Sequence, residues 1–334
     1  MNKVPELDIE SFRREPTSAA GVRFVDDLLA ACHGSGFVYL TGHGIAGDLE
    51  ARLFDQSRRF FRLPEQQRRD LAIVNSAAFR GYTTLGDELT GGSSDWRDQL
   101  DFGPEEPQPA LDAMPAWLRL RGPNQWPSTL PDLAPTALAW AAEVERLGLD
   151  VIRALAIGLG QPVDRFDSGL VPRSDMHVKI IRYPGRVNSG ISEVRSQGVG
   201  AHQDTGLLTF ILQDDVGGLQ VELDSEFVDV PAKPGTYVLN LGEMLQMATS
   251  GYLRATRHRV VSPETGKERL SFAFFFNPRF ESTFEPVLLP THLAAEASVD
   301  SESSEPIFKL FGENNLKTRL RAHPDVAKRH YGDL

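Results

Sequence analysis

The first half of the chain places its apolar residues mainly at helical spacing. Apolar positions recur every three or four residues over 18–33, 49–61 and 135–160, which predicts three helices, the last of them the longest. Between the first two, residues 36–41 are aromatic and β-branched and predict a strand. The second helical pattern ends before Pro64, because proline cannot continue a helix.

The apolar pattern changes to strand spacing after Pro172. Short runs rich in β-branched and aromatic residues are separated there by Gly, Pro and Asp turns. These runs are residues 178–183, 207–212, 219–221, 227–230, 237–241, 258–261 and 270–276. Many short strands at this spacing predict a β-sandwich or barrel.

We interpret the chain as a single domain with three parts, since no repeat, low-complexity tract or linker separates them. The predicted parts are a helix-rich region over about 1–172, a β core over about 173–285 and a polar, helical tail over about 300–334. Phe308 and Phe311 are the tail residues that we expect to contact the body.

Glycine and proline interrupt the regular patterns over residues 79–101 and 117–131, which predicts long surface connections of the kind that carry recognition. We expect residues 79–102 and 185–199, with the tail, to line or cover a pocket. Their arginines could meet an acidic substrate, although exposed surface is the simpler interpretation of each. These arginines are Arg97, Arg186 and Arg195.

Charge and cysteine content narrow the class of protein. The formal net charge of −11 argues against nucleic-acid binding, which needs clustered Lys and Arg. One cysteine, Cys32, lies in an apolar run, is expected in the core and cannot form an internal disulfide. No secretory signal, membrane-spanning run or protein-binding segment is evident, so we expect a cytoplasmic protein with a small-molecule partner.

Two histidines and one aspartate have the spacing of a metal site. In His202-Gln203-Asp204, residues two apart on an extended segment point the same way, and His258 would arrive from a distant strand. A two-histidine, one-carboxylate set binds a divalent first-row metal and leaves positions open for oxidant and substrate. By itself the pair is weak, since a histidine in an apolar strand is commonly structural.

A second set of polar residues begins the aromatic run over 272–276. Arg269 is costly to bury without an anion, and its guanidinium fits a carboxylate bidentately. Ser271 lies on the same strand face and could add a hydroxyl. Although a structural salt bridge would explain Arg269 in isolation, the two sets together favour a dicarboxylate that binds the metal at one end and Arg269 at the other.

The order of these motifs closely resembles that of the iron and 2-oxoglutarate-dependent dioxygenases of the isopenicillin N synthase-like family. The resemblance extends over about residues 5–285 and includes further segments. These are residues 36–45 (GFVYLTGHGI), 60–64 (FFRLP), 80–82 (RGY), 122–127 (GPNQWP) and 277–278 (NP).

The resemblance implies a mainly β fold with surrounding helices, the double-stranded β-helix or distorted, cupin-like jelly roll. It assigns Fe(II) to the two histidines and Asp204, and the distal carboxylate of 2-oxoglutarate to Arg269 and Ser271. Tyr183 would hydrogen-bond the same cosubstrate, whereas Ile181 replaces an asparagine that is common there in plant members. His43 lies in a family motif but is expected to be a turn residue rather than a ligand.

The implied activity is oxidation, chiefly hydroxylation, of a small organic molecule by O2 with release of succinate and CO2, and with ascorbate as a candidate reductant. Three alternatives stay open at this point. One is an Fe(II) oxidase of the same family that closes a ring without 2-oxoglutarate. The others are a metabolite-binding jelly roll without catalysis and a zinc hydrolase.

Overall fold

The computed structural model describes residues 4–109, 115–185, 197–298 and 307–334. Its α-helices, in chain order, are α1 (Glu10–Arg14), α2 (Ala19–Gly34), α3 (Gly47–Phe61), α4 (Glu65–Arg69), α5 (Leu133–Gly158), α6 (Glu243–Ala248), α7 (Thr291–Ala294), α8 (Phe311–Ala322) and α9 (Pro324–His330). The three long helices predicted from apolar spacing correspond to α2, α3 and α5.

Among the described residues, the strands after Pro172 follow the predicted runs and add one that was not predicted, over residues 197–202, and several further strands lie before Pro172. They are β1 (Glu6–Asp8), β2 (Phe37–Thr41), β3 (Gly81–Thr83), β4 (Leu89–Thr90), β5 (Ser93–Ser94), β6 (Asp98–Phe102), β7 (His177–Pro184), β8 (Gln197–His202), β9 (Leu208–Gln213), β10 (Leu219–Leu223), β11 (Glu226–Asp229), β12 (Tyr237–Leu241), β13 (His258–Val261) and β14 (Glu268–Phe276).

Two facing sheets form the jelly roll, which confirms the expected fold. The larger sheet has the order β1-β2-β12-β9-β14-β7-β6-β3 and the smaller one β11-β10-β13-β8. The strands of both sheets are antiparallel except β1, which pairs with β2 in parallel. The non-sequential orders bring residues far apart in the chain next to one another.

Strand β14 shows how the larger sheet divides two cores. Phe272, Phe274 and Phe276 point outward into the core beneath the helices, where Trp140 of α5 lies 5.8 Å from the ring of Phe272. The alternate residues point between the sheets, where Ala273 packs with apolar residues of the smaller sheet. Because side chains of a strand alternate in direction, one strand serves both the scaffold and the interior.

The prediction of long surface connections over 79–101 is wrong for much of that segment. Residues of β3 and β6 are buried and extend the larger sheet, with Leu100 paired to Ile180 of β7. Arg97 is also buried, in ion pairs to Glu88 and Asp95, and is not exposed surface. The strand was missed because its polar residues are compensated by buried partners rather than by water.

The remaining expectations for the tail and loops have mixed outcomes. Phe311 is fully buried and begins α8, whereas Phe308 is 40% exposed. Residues 186–196, which contain two of the arginines considered for an acidic substrate, lie outside the described residues. Cys32 is buried in the core, where burial raises the pKa of its thiol to about 12. None of the described helices is long and apolar enough to cross a membrane.

Close approach of α5 to the sheet requires a glycine. A Cβ on Gly148 would lie 2.7 Å from the ring of Phe276, so no side chain fits there without displacing the helix. We expect Gly148→Val to destabilise the fold by about 1–3 kcal/mol through overpacking. Gly34→Ala, at a helical glycine with open space around it, should stay within about 1 kcal/mol of the parent. Urea unfolding measures both, and equal stability of the two variants would contradict the packing argument.

Candidate metal centre and carboxylate pocket

The segment between the two sheets carries the first two residues of the centre. His202 ends β8 in the smaller sheet, and the chain then crosses to β9 in the larger one. Asp204 lies in this crossing, where its carbonyl accepts a hydrogen bond of 2.7 Å from the backbone of Glu243. The crossing is tight, because a Cβ on Gly242 would lie 2.2 Å from the carbonyl oxygen of Gly206.

Strand pairing brings the third residue into place. His258 begins β13 and stands directly opposite His202 in the antiparallel ladder with β8. The two imidazole rings are 4.3 Å apart between centroids. The backbone register alone therefore joins two histidines that the sequence separates widely.

The three side chains present one face of potential ligand atoms. One ligand atom from each of His202, Asp204 and His258 can be chosen so that all lie within 4.8 Å of one another. Asp204 Oδ1 is 3.6 Å from His202 Nε2 and 3.9 Å from His258 Nε2. Each Nδ1 contacts a carbonyl, at 2.8 Å on Gly200 and 3.2 Å on Thr256. A carbonyl can only accept, so Nδ1 carries the proton and Nε2 turns a lone pair toward the centre.

Electrostatics hold the carboxylate charged and one imidazole neutral. Burial opposes ionisation of Asp204, but His258, His202 and Thr209 outweigh it and keep the pKa of the carboxyl below its usual range. Burial, with the neighbouring His202, lowers the pKa of His258 to about 4. Burial also lowers the pKa of His202, but hydrogen bonding to and the charge of Asp204 give a net rise. A bound metal cation would take the place of the proton for which His202 and Asp204 compete.

Two residues of the larger sheet orient the aspartate, and sequence reasoning did not identify them. Thr209 Oγ1 donates to Asp204 Oδ2 at 2.5 Å, and Asn240 Nδ2 donates to the same oxygen at 2.7 Å. Both bonds fix Oδ2, so Oδ1 is the oxygen that faces the histidines. The sequence signal that could have identified them is a polar residue within an otherwise apolar strand, which holds for Thr209 in β9 and Asn240 in β12.

Arg269 occupies the inner face of β14 and is 1% exposed. Its Nη1 donates to Ser271 Oγ at 3.0 Å and its Nη2 to Gln213 Oε1 at 2.9 Å, while Nε has no partner among the described residues. The guanidinium lies over the ring of Tyr183, 4.8 Å from its centroid. Gln213 was not expected from sequence, although it alternates with Ile211 and Thr209 on the same face of β9. No acidic side chain pairs with Arg269 among the described residues, so a structural salt bridge does not explain it there.

The arrangement fits a divalent metal and an anionic ligand. Two imidazole nitrogens and one carboxylate oxygen converge within 4.8 Å of one another, which is the donor set preferred by first-row metals with open positions. Thr209 and Gln213 are about 13 Å apart along β9 at the rise of an antiparallel strand. Thr209 bonds Asp204 and Gln213 bonds Arg269, so both parts of the site lie along the inner face of this strand. His43 lies elsewhere, with its ring on the backbone of Gly235 and Ile45, as expected for a turn residue.

Two family models match separate parts of the chain. The model described as the non-haem dioxygenase in morphine synthesis N-terminal region matches residues 4–129. The model described as the 2OG-Fe(II) oxygenase superfamily matches residues 176–278, which contain all six residues singled out from sequence.

Relatives and solved structures cover nearly the whole chain. A 2-oxoglutarate-dependent dioxygenase from Dothideomycetidae sp. is 32% identical over 98% of this chain and 92% of its own length. A homoarginine-6-hydroxylase from Glycine max is 33% identical over 80% of this chain and 81% of its own. A Neurospora crassa protein crystallised with alpha-KG (2-oxoglutarate) and 5-formyluracil superposes with a TM-score of 0.76 at 26% identity, covering 96% of both chains.

The hydrogen bonds to Asp204 predict a measurable contribution to metal affinity. Thr209→Val keeps the shape of the side chain but removes the donor to Oδ2, so the carboxylate becomes less well oriented. We expect the affinity for Co²⁺, measured by calorimetry, to fall by about 10–100-fold. Thr249→Val removes a buried hydroxyl that bonds the carbonyl of Leu245 instead, and should leave Co²⁺ affinity unchanged. Equal effects of the two variants would contradict an orienting role.

Proposed function

Since the chain belongs to the 2OG-Fe(II) oxygenase superfamily, we propose that His202, Asp204 and His258 bind its iron. The protein is an Fe(II)- and 2-oxoglutarate-dependent dioxygenase that oxidises a small organic molecule. The convergence of the three ligand atoms within 4.8 Å is the observation that carries the assignment. When bound, the iron supplies activation of O2, with conversion of 2-oxoglutarate to succinate and CO2 and oxidation of the substrate.

We assign Arg269, Ser271 and Gln213 to the distal carboxylate of 2-oxoglutarate. Arg269 carries a buried positive charge with an unpartnered Nε, so the pocket lacks an anion that a carboxylate would supply. Ser271 and Gln213 hold the guanidinium in a fixed orientation from either side. Tyr183 presents its ring to the guanidinium, a stacking role that supplements the hydrogen bond expected of its hydroxyl.

The protein residues contribute binding, orientation and exclusion of water. The carbonyls of Gly200 and Thr256 fix the imidazole tautomers, and Thr209 fixes the carboxylate. The redox chemistry belongs to the bound groups, whereas the protein decides which substrate bond lies nearest to them. Hydroxylation is the outcome that we propose for this protein, in keeping with the hydroxylase relatives.

We propose that the chain forms one oxygenase domain, because a continuous core joins Phe12, Trp140, Phe272 and Val326. The cytoplasmic location, expected because no secretory signal or membrane-spanning run is evident in the sequence, stays a prediction.

The charge of Arg269 predicts a specific loss. Arg269→Ala should raise the KM for 2-oxoglutarate by about 10–100-fold or more, because a charge-assisted bidentate contact contributes roughly 1.5–3 kcal/mol. Succinate release measured against 2-oxoglutarate concentration reports the change. Arg182→Ala is the matched control, since this neighbouring arginine points to the other face of the sheet and pairs with Asp98. An unchanged KM in Arg269→Ala would make the arginine structural.

Removal of an iron ligand separates an enzyme from a binding protein. His202→Ala should abolish succinate release and lower the iron content of protein prepared without oxygen, because two ligands hold the metal weakly. Substrate oxidation by the parent without any succinate would instead indicate an oxidase that does not use 2-oxoglutarate. Unchanged turnover in the variant would contradict the metal assignment.

Homoarginine and 5-formyluracil, each associated with a relative, are reasonable first substrates for this assay.

A further inference from the structure

A cluster of buried charges lies on the inner face of the larger sheet, beside the proposed iron site. Residues 97, 99 and 101 alternate with outward-facing Asp98 and Leu100, so their side chains point between the sheets. We call the following residues the inner cluster: Glu88, Asp95, Arg97, Gln99, Asp101, Lys179 and Arg319. Such a concentration of buried charge is costly and marks functional sites more often than stable cores.

The acidic members of the inner cluster have no accepting oxygen to spare. Both oxygens of Glu88 accept from Lys179, at 2.9 and 3.1 Å. Asp101 accepts from His177 at 2.7 Å and from Gln99 at 2.6 Å. The two oxygens of Asp95 accept from the backbone of Gly200 and from Thr90 and Arg97.

These carboxylates are therefore already balanced by donors and cations of the protein itself. Lys179 is likewise fully used, because its three N–H groups face the two oxygens of Glu88 and one oxygen of Asp101.

The two arginines of the inner cluster are less well satisfied. Arg97 bonds Glu88 and Asp95 through Nη2 alone, and its buried Nε has no partner among the described residues. Among the described residues, the ion pair of Arg319 in α8 is a loose one, at 3.5 Å from Asp101. Lys179 links the two arginines, because it contacts both Glu88, the partner of Arg97, and Asp101, the partner of Arg319. An anion bound by both guanidinium groups would supply the carboxylate contacts that each of them lacks.

The arginines also lie where a substrate must bind. Arg97 pairs with Asp95 Oδ2 at 3.0 Å, and the other oxygen of Asp95 accepts at 3.1 Å from the backbone N–H of Gly200, two residues before His202 in β8. Arg97 is thus linked through one side chain to the strand that carries His202. Helix α8 passes over the same region, since Thr318 shares a hydrogen bond of 3.1 Å with Thr205, next to the iron ligand Asp204.

We propose that Arg97 and Arg319 determine substrate specificity by binding the carboxylate of a small organic acid. The inference rests on the proposed function, because it identifies the substrate class of the same site. Gln99 Oε1 is buried on the same face and has no hydrogen-bond partner in the part of the chain that the structure describes, so the acid would also donate one N–H or O–H group, as an amino acid or a hydroxy acid does. The guanidinium groups offer the planar donors that a carboxylate accepts best.

A panel of α-amino and α-hydroxy acids, each paired with its primary amide, tests this class directly. The amide keeps the shape of the acid and removes only its negative charge. Calorimetry without oxygen, on enzyme loaded with Fe(II) and 2-oxoglutarate, measures binding, and succinate release measures turnover. We expect at least one acid to bind about 10–100-fold more tightly than its amide.

Two variants assign that preference to the arginines. Arg319→Gln should reduce the preference of the enzyme for acid over amide by about 10-fold or more, and it is expected to fold because its ion pair to Asp101 is loose. Arg97→Gln should do the same but also removes one ion pair each from Glu88 and Asp95, so thermal unfolding is measured alongside it. Arg182→Gln, on the outer face of the sheet, removes the same charge and should keep the preference intact.

The outcomes distinguish this inference from the proposed function. If 2-oxoglutarate binds but no acid binds more tightly than its amide, including a panel that does not bind at all, the substrate class is wrong and the function stands. A preference for acids that survives in Arg319→Gln and in folded Arg97→Gln would overturn the role of the arginines. Failure of 2-oxoglutarate to bind the iron-loaded parent would overturn the proposed function itself.

Discussion

The crossing between the two sheets is the constraint on which the site depends. The chain leaves the smaller sheet after His202, and two residues later Asp204 already lies against the larger sheet. There Thr209 and Asn240 bind one of its oxygens. That contact directs the other oxygen toward the histidines. The close backbone approach at Gly242 allows the two sheets to meet here. The ligand set is therefore a consequence of how the jelly roll closes and not only of the motif.

The alternation of side chains explains how the protein keeps charges inside an apolar molecule. On β14 the phenylalanines pack beneath the helices, where each contributes roughly 1.5–3 kcal/mol of burial free energy. The opposite face of the same strand carries Arg269 and Ser271. Apolar packing on one face offsets the cost of polar groups on the other, so the sheet can hold a carboxylate pocket without losing stability.

Contacts between the C-terminal region and residues 88–101 complete the interior. Arg319 of α8 and His323, the residue that follows this helix, approach Asp101 and Glu88, which lie more than two hundred residues earlier in the chain. No local sequence pattern distinguishes these charged residues from charged residues on the surface. Their significance follows from burial in one place, where an unmet charge is far more costly than on the surface.

The sequence by itself determined the long helices, the strands after Pro172 except β8, and the order of His202, Asp204, His258 and Arg269, because apolar periodicity and the chemistry of each side chain are local properties. Only the tertiary structure decided that β6 is buried, that Gln213, Thr209 and Asn240 complete the pocket, and that Arg97 belongs to the interior. A polar residue is hidden or exposed according to partners supplied by distant strands, and no local pattern records those partners.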